Sequence, residues 1–188
     1  MRQEYAYKMF NKDLTCTLGN GKYQYSVGEW IEEPEANCAK NGFHCAENPL
    51  DCLNYYPDWE NSVCYLVQIG GDIDEDDHDS KISCTRIKLV KELTLDQFIS
   101  QAVAFMIRRP LAPDSSQVCR DEGGTGRNPF VFVRGKDPKA RGKIGETIVL
   151  LKEQPGNTQI CAAASYEIDG KVYRDWTWYD VWGKAVEA

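Results

Sequence analysis

The chain has 188 residues and carries 22 Lys and Arg against 29 Asp and Glu, a formal net charge of −7. Its 42% apolar and 27% charged residues are ordinary for a globular protein. A chain of this size buries roughly 70% of its unfolded surface, so folding needs no metal or disulfide staple, and the composition excludes membrane-spanning, collagen-like, coiled-coil and disordered classes.

Residues 1–10 contain no apolar run of the kind a secretory signal needs, so the expected location is a reducing cytoplasm. The eight cysteines are about 4% of the chain, below a disulfide scaffold's roughly 8–10%, and are expected as free thiols. Tyr5 to Phe10 alternates large and small or polar residues and predicts a first strand. Leu14 to Leu18 is a short second strand, closed by the Gly19-Asn20-Gly21 turn. Tyr23, Tyr25 and Val27 alternate as a third, and Gly42 to Cys45 enters a turn as a fourth. Asn48 caps a short helix over about 49–56, with Pro49 at its first position and Pro57 as its stop. Strands follow at Val63 to Ile69, ended by Gly70-Gly71, and at Lys81 to Val90. Thr94 and Gln97 form a capping box for a long helix over about 95–108, with Leu95, Phe98, Ile99, Ala102, Val103 and Met106 on one face and Pro110 as its stop.

Residues 108–128, rich in Pro, Gly and charge, are expected as a loop. Beyond it, Pro129 to Val133, Thr147 to Leu151 and Ile160 to Ile168 predict strands, Asp169-Gly170 with Lys171 to Tyr173 a hairpin, and Trp176 to Trp182 a final strand or cap. The expected class is α+β, mostly antiparallel strands with one long and one short helix. The expected organisation is a strand-rich region over 1–107, the loop 108–128, and C-terminal strands with a tryptophan cap over 129–188, the whole compatible with one domain.

Few residues carry chemistry by spacing. Cys38, His44, Cys45 and Cys52 lie close together but show no zinc-ligand spacing, and adjacent His44 and Cys45 face opposite sides of a strand, so no metal site is assigned. The run Asp72 to Asp79 begins like an EF-hand loop. It puts Asp77 where the Gly belongs and Ser83 where the last Glu belongs, and reads as a solvated acidic loop. Gly123 to Asn128 lacks the P-loop ending and reads as a flexible loop rather than an anion nest. His44 stands beside Glu47 in a strand-to-helix turn, an arrangement suited either to acid–base work or to bonding the turn. Tyr55, Tyr56, Trp59, Trp176, Trp178 and Trp182 are candidates for a stacking pocket or an interaction surface, with core packing as the competing role.

The stretch Asn41 to Tyr56, with its Gly-Phe-His-Cys-Ala-Glu-Asn-Pro-Leu-Asp core, resembles an uncharacterised family of phage and prophage proteins. Tyr7 to Leu14, Tyr25 to Gly28, Gly71 to Ile73 and Gly135 to Leu151 are similar to other segments of that family, whereas the Pro/Gly loop 109–128 replaces its central Ser/Ala/Gly repeats. A weaker resemblance is to ADP-ribosyltransferase folds, in the order of Lys8, the Gly42 to Cys45 strand, the Asn48 to Tyr56 helix and the Val63 to Ile69 strand. There Lys8 stands where such enzymes place Arg or His, and His44 where they place Ser or Tyr.

The leading expectation is a phage-encoded, host-directed interaction protein, an acidic inhibitor of a host defence or nucleic-acid-processing protein. It is expected in the host cytoplasm, with Asp72, Asp74, Glu75, Asp76 and Asp77 in its contact surface, a host protein as partner, and no cofactor, membrane or duplex DNA. The alternative is an NAD-dependent mono-ADP-ribosyltransferase using Lys8, His44 and Glu47, with Tyr55 and Tyr56 binding the ligand. A third reading is a phage assembly accessory protein. A cleft joining Lys8, His44 and a carboxylate favours the enzyme, and a contiguous acidic or aromatic outer surface favours the inhibitor.

Overall fold

The computed structural model describes residues 4–17, 21–38, 40–75 and 79–187. It is a mixed α and β structure dominated by antiparallel strands, in two compact units, Met1–Ala102 and Val103–Ala188. Among the described residues no helix is long and apolar enough to cross a membrane.

The first unit comprises β1 (Glu4–Asn11), β2 (Thr15–Cys16), β3 (Tyr23–Gln24), β4 (Trp30–Glu32), β5 (Phe43–Ala46), β6 (Ser62–Glu75) and β7 (Lys81–Glu92). Strand β1 pairs with β5 and β6, and β7 pairs with β5 and β6, so these four strands form a closed antiparallel ring; β4 adds to β7. Strand alternation fills the ring. Ala6 and Phe10 of β1, Phe43 and Cys45 of β5, and Ile82 and Cys84 of β7 share one buried cluster with Tyr25, Val67 and Leu89. Tyr7, one residue out of phase, turns to the other face, where its hydroxyl donates to Gln101 at 2.7 Å. Gln101 lies on α1 (Leu95–Arg108), the helix the capping box foretold. Thr94 and Gln97 each accept the other's backbone N–H at 3.3 Å, and Phe98 stacks on Trp59 with ring centroids 4.7 Å apart.

Two expectations in this unit need correction. The strand expected to end at Ile69 runs through Gly70 and Gly71 to Glu75, because a bulge absorbs the glycines. Gly71 sits at φ 75°, and a Cβ there would collide with the Thr85 hydroxyl, which accepts the next N–H, from Asp72, at 2.9 Å. The first part of the acidic run is therefore strand rather than loop. The short helix is a 3₁₀ helix, Pro49–Asn54, and stops before Tyr55 and Tyr56 because the Cys52 carbonyl accepts both of their N–H groups at 3.1 Å.

The second unit contains β8 (Val118–Gly124), β9 (Phe130–Arg141), β10 (Thr147–Glu153), β11 (Ile160–Glu167) and β12 (Tyr179–Asp180). Strands β8 and β10 both pair with β9 in parallel, while β10–β11 and β9–β12 are antiparallel. The loop expected over 108–128 thus carries a strand. A parallel neighbour ordinarily needs a crossover of about a dozen residues. Residues 125–129 suffice here because both strands turn a corner: Asp121, at φ 64°, stands opposite residues 135–138, and Gly135 leaves room for it. Gly123 and Gly124 end β8 rather than forming a flexible loop, and the Thr125 N–H donates to the Arg141 carbonyl at 3.0 Å. The expected hairpin at 169–173 is a turn in which the Asp169 carboxylate accepts three successive N–H groups. Of Trp176 to Trp182, only Tyr179–Asp180 is strand.

Candidate functional site

Lys8 occupies an inward position on β1 between Ala6 and Phe10, and is 5% exposed. Its ammonium donates to the His44 carbonyl at 2.6 Å and lies 5.2 and 5.3 Å from the ring centres of Phe10 and Tyr25. No carboxylate pairs with it among the described residues. Beside it opens a cavity of about 570 Å³, walled by β1, β3, β5, the 3₁₀ helix and the start of β7.

The cavity's polar lining is cationic. Among the described residues, Lys8, Lys22, Lys40 and Lys81 border it against one carboxylate, Glu33, in a chain of net charge −7. Lys22 is held at 3.2 Å by Asp13. Its apolar lining is aromatic: Tyr23, Tyr25, Phe43, Tyr55 and Tyr56. Tyr23 and Tyr25 meet edge to face at 4.8 Å, and Tyr25 packs on Phe43 at 5.9 Å. Tyr25 is 6% exposed, burial pushes its phenol well up, and its hydroxyl makes no hydrogen bond among the described residues. The cleft therefore presents a buried ammonium with one acceptor and, among the described residues, an unpaired hydroxyl on a largely buried tyrosine.

The 3₁₀ helix sets the far wall. Asn48 accepts the Leu50 N–H at 3.1 Å, and buried Asp51 accepts both the N–H and hydroxyl of Ser80, at 3.1 and 2.7 Å. This places Tyr55, whose hydroxyl accepts from Lys81 at 2.9 Å and donates to Asp79 at 3.1 Å. Tyr56 donates to the Cys16 thiol at 3.1 Å, and burial raises its phenol. Below them lie thiols. The Cys45 thiol is raised well above its usual range by donating to Cys84 and by burial. Burial pushes Cys52 up to about 12 against the opposing pull of Lys8.

Of the residues singled out in the sequence, Lys8, His44, Tyr55 and Tyr56 border this one cleft, and Glu47 does not. His44 alternates with inward-facing Phe43 and Cys45, so its imidazole turns to the other face of β5 and its carbonyl serves Lys8. Glu33, which the sequence offers only as part of a polar loop, is the carboxylate at the cleft among the described residues. Asp72, Asp74 and Glu75 lie away from it, exposed on the distal end of β6, where Asp74 accepts the Cys38 N–H at 2.6 Å. Asp76 and Asp77 fall outside the described residues. Trp59 packs beneath α1, while Trp176 and Trp178 stack on Arg141 in the second unit. Among the described residues no three His, Cys, Asp or Glu side chains are arranged to hold a metal.

A family model described as a domain of unknown function (DUF7666) matches residues 5–101, half of the chain. The chain belongs to the DUF7666 family. Every residue lining the cleft lies within the DUF7666 region. Comparison with curated proteins and with solved structures gives no match.

Proposed function

We propose that the DUF7666 region is a receptor for an anionic aromatic small molecule of the nucleotide class, with NAD as the first ligand to test. The observation that carries this reading is Lys8: a nearly buried ammonium with one neutral acceptor and, among the described residues, no carboxylate, facing a cavity. A buried charge is costly unless paired, so this one is best explained by an anion that arrives with the ligand. The tyrosines supply ring faces and the free Tyr25 hydroxyl a donor for the aromatic portion. The volume of about 570 Å³ lies in the range typical of small-molecule sites.

This reading takes in the resemblance to ADP-ribosyltransferase folds, and with it a transferase of phage origin acting in a bacterial cytoplasm. In that chemistry Lys8 holds the ligand's anionic portion, and Glu33, rather than Glu47, is the carboxylate at hand. The test is thermal unfolding with excess NAD. Ligand at 100 times its dissociation constant adds about 2.7 kcal/mol, or roughly 5–10 °C for a chain this size. No shift with NAD, and none with other adenine or guanine nucleotides, overturns it.

One observation favours a second reading, the host-directed acidic inhibitor. Residues 1–102 hold 9 Lys and Arg against 18 Asp and Glu even with four lysines at the cleft, and Asp72, Asp74 and Glu75 project from one strand end. Such a surface suits a basic partner protein. Charge reversal at these three positions is expected to abolish capture of that partner while leaving nucleotide binding intact.

A further inference from the structure

We propose that the second unit carries a binding site for single-stranded nucleic acid, built on Trp176, Trp178 and Arg141. Lys139 and Arg141 are alternate residues at the end of β9 and share one face. The Arg141 guanidinium lies 4.5 Å from the Trp178 ring centre and 5.1 Å from that of Trp176, and the Lys139 ammonium lies 5.2 Å from Trp178. Lys139 is paired with Glu122 at 3.1 Å. The Arg141 side chain makes no hydrogen bond or ion pair among the described residues. Two indoles thus fix a guanidinium in place and leave its N–H groups for an outside acceptor. Elsewhere in this unit Arg120 and Arg134 have carboxylate partners.

The platform is held at a cost in backbone strain. Trp176 has φ 49°, a conformation unfavourable for a bulky residue, and its N–H donates to the Gly142 carbonyl at 2.9 Å. Its ring rests over Gly124, where a Cβ would stand only 3.1 Å from it, yet 43% of the residue stays exposed. Strain that holds a half-exposed indole beside an unpaired guanidinium suits a ligand combining a flat ring with an anion. A nucleotide of a single strand offers both: the base stacks on Trp176 and its phosphodiester accepts from Arg141. A neutral sugar would leave the guanidinium unpaired, and a duplex hides its base faces. The charge distribution agrees, since residues 103–188 carry 13 Lys and Arg against 11 Asp and Glu in an otherwise acidic chain.

The test uses the full chain and a labelled oligothymidylate of about 12 nucleotides, long enough for one such site. Anisotropy is expected to rise and tryptophan fluorescence to be quenched on binding. Arg141→Gln and Trp176→Gly are each expected to weaken binding about tenfold, with the salt slope falling by about 1 for Arg141→Gln alone. Glycine at 176 accepts the backbone conformation, so that variant keeps its fold; should it unfold, Arg141→Gln and the wild-type quench decide. Absence of binding at low salt, wild-type affinity in Arg141→Gln, or quenching by a neutral oligosaccharide but not by the oligonucleotide overturns the proposal.

Discussion

The Lys8 ammonium reaches the His44 carbonyl at 2.6 Å and, among the described residues, has no carboxylate partner. A buried charge with only a neutral acceptor costs stability. Lys8→Met keeps the aliphatic stem and removes the charge, so the ligand-free protein is expected to melt higher, by an amount worth about 1 kcal/mol or more. The same variant is expected to lose the melting shift caused by NAD. Paired melts of both proteins with and without ligand check this; a lower melting temperature for Lys8→Met would show that the ammonium supports the fold instead.

Tyr25 separates binding from folding more cleanly. Its hydroxyl has no partner among the described residues, while its ring packs on Phe10, Tyr23 and Phe43. Tyr25→Phe keeps every ring contact and is expected to leave stability within about 0.5 kcal/mol. Nucleotide affinity is expected to fall about fivefold to tenfold, the worth of one hydrogen bond. Isothermal titration of the two proteins gives the comparison, and equal affinities would place the ligand away from the Tyr25 hydroxyl.

Much of this site was legible in the sequence because its parts have local signatures. The alternation of β1 placed Lys8 on its strand, the Asn-Pro-Leu-Asp cap placed the short helix that ends just before Tyr55 and Tyr56, and the Thr94–Gln97 box placed α1. What local pattern does not carry is which elements meet. Glu33 and Lys81 reach the cleft only because β5 pairs with β7 and the chain before β5 folds across, contacts between residues far apart in sequence. The bulge at Gly71 and the corner at Asp121 defeated the strand boundaries for a related reason. Gly70-Gly71 reads as a strand end, and the Gly- and charge-rich 108–128 as a loop, when the neighbouring strand that accommodates each is unseen. His44 looked catalytic by residue type, whereas strand parity decides that its carbonyl serves Lys8.

In the second unit, Arg134 is buried with its guanidinium donating to Glu153 and Asp114, at 2.8 and 2.7 Å, and to the carbonyls of Pro110 and Thr158. Arg120 donates to the same two carboxylates. The Arg120 and Arg134 guanidiniums hold the Glu153 carboxyl below its ordinary value of 4.5. A carboxyl lowered in the folded state contributes stability above its unfolded pKa and loses that contribution as pH falls through the folded value. Stability is therefore expected to decline below about pH 4.5, and Glu153→Gln to flatten that limb while lowering stability at neutral pH. Arg134→Ala leaves the buried Glu153 carboxylate with Arg120 as its remaining cation among the described residues, and is expected to destabilise by about 1.5–3 kcal/mol, the worth of hydrogen bonds to a charged group. Urea unfolding of the three proteins across pH 3–7 reads both effects, and an unchanged acid limb in Glu153→Gln would remove Glu153 from the account.

The thiols make the last prediction. Cys161 is exposed, its thiol donating to the Lys152 carbonyl at 3.4 Å, whereas Cys45, Cys52 and Cys64 are buried and lie above the ordinary thiol value of 9.0, Cys45 through its hydrogen bond to Cys84 and burial, Cys52 and Cys64 through burial. Thiolate is the reactive form, so iodoacetamide at about pH 8 is expected to label Cys161 rapidly and the three buried thiols only as the protein opens. The sign of the linkage follows from the same shifts. Above about pH 9 the unfolded chain releases thiol protons that the folded chain retains, so stability is expected to fall as pH rises past that point. Mass spectrometry of labelled peptides over time, native and in denaturant, orders the four sites. Labelling of Cys45 or Cys52 as fast as Cys161 in the native protein would mean that the cleft floor opens readily to solvent.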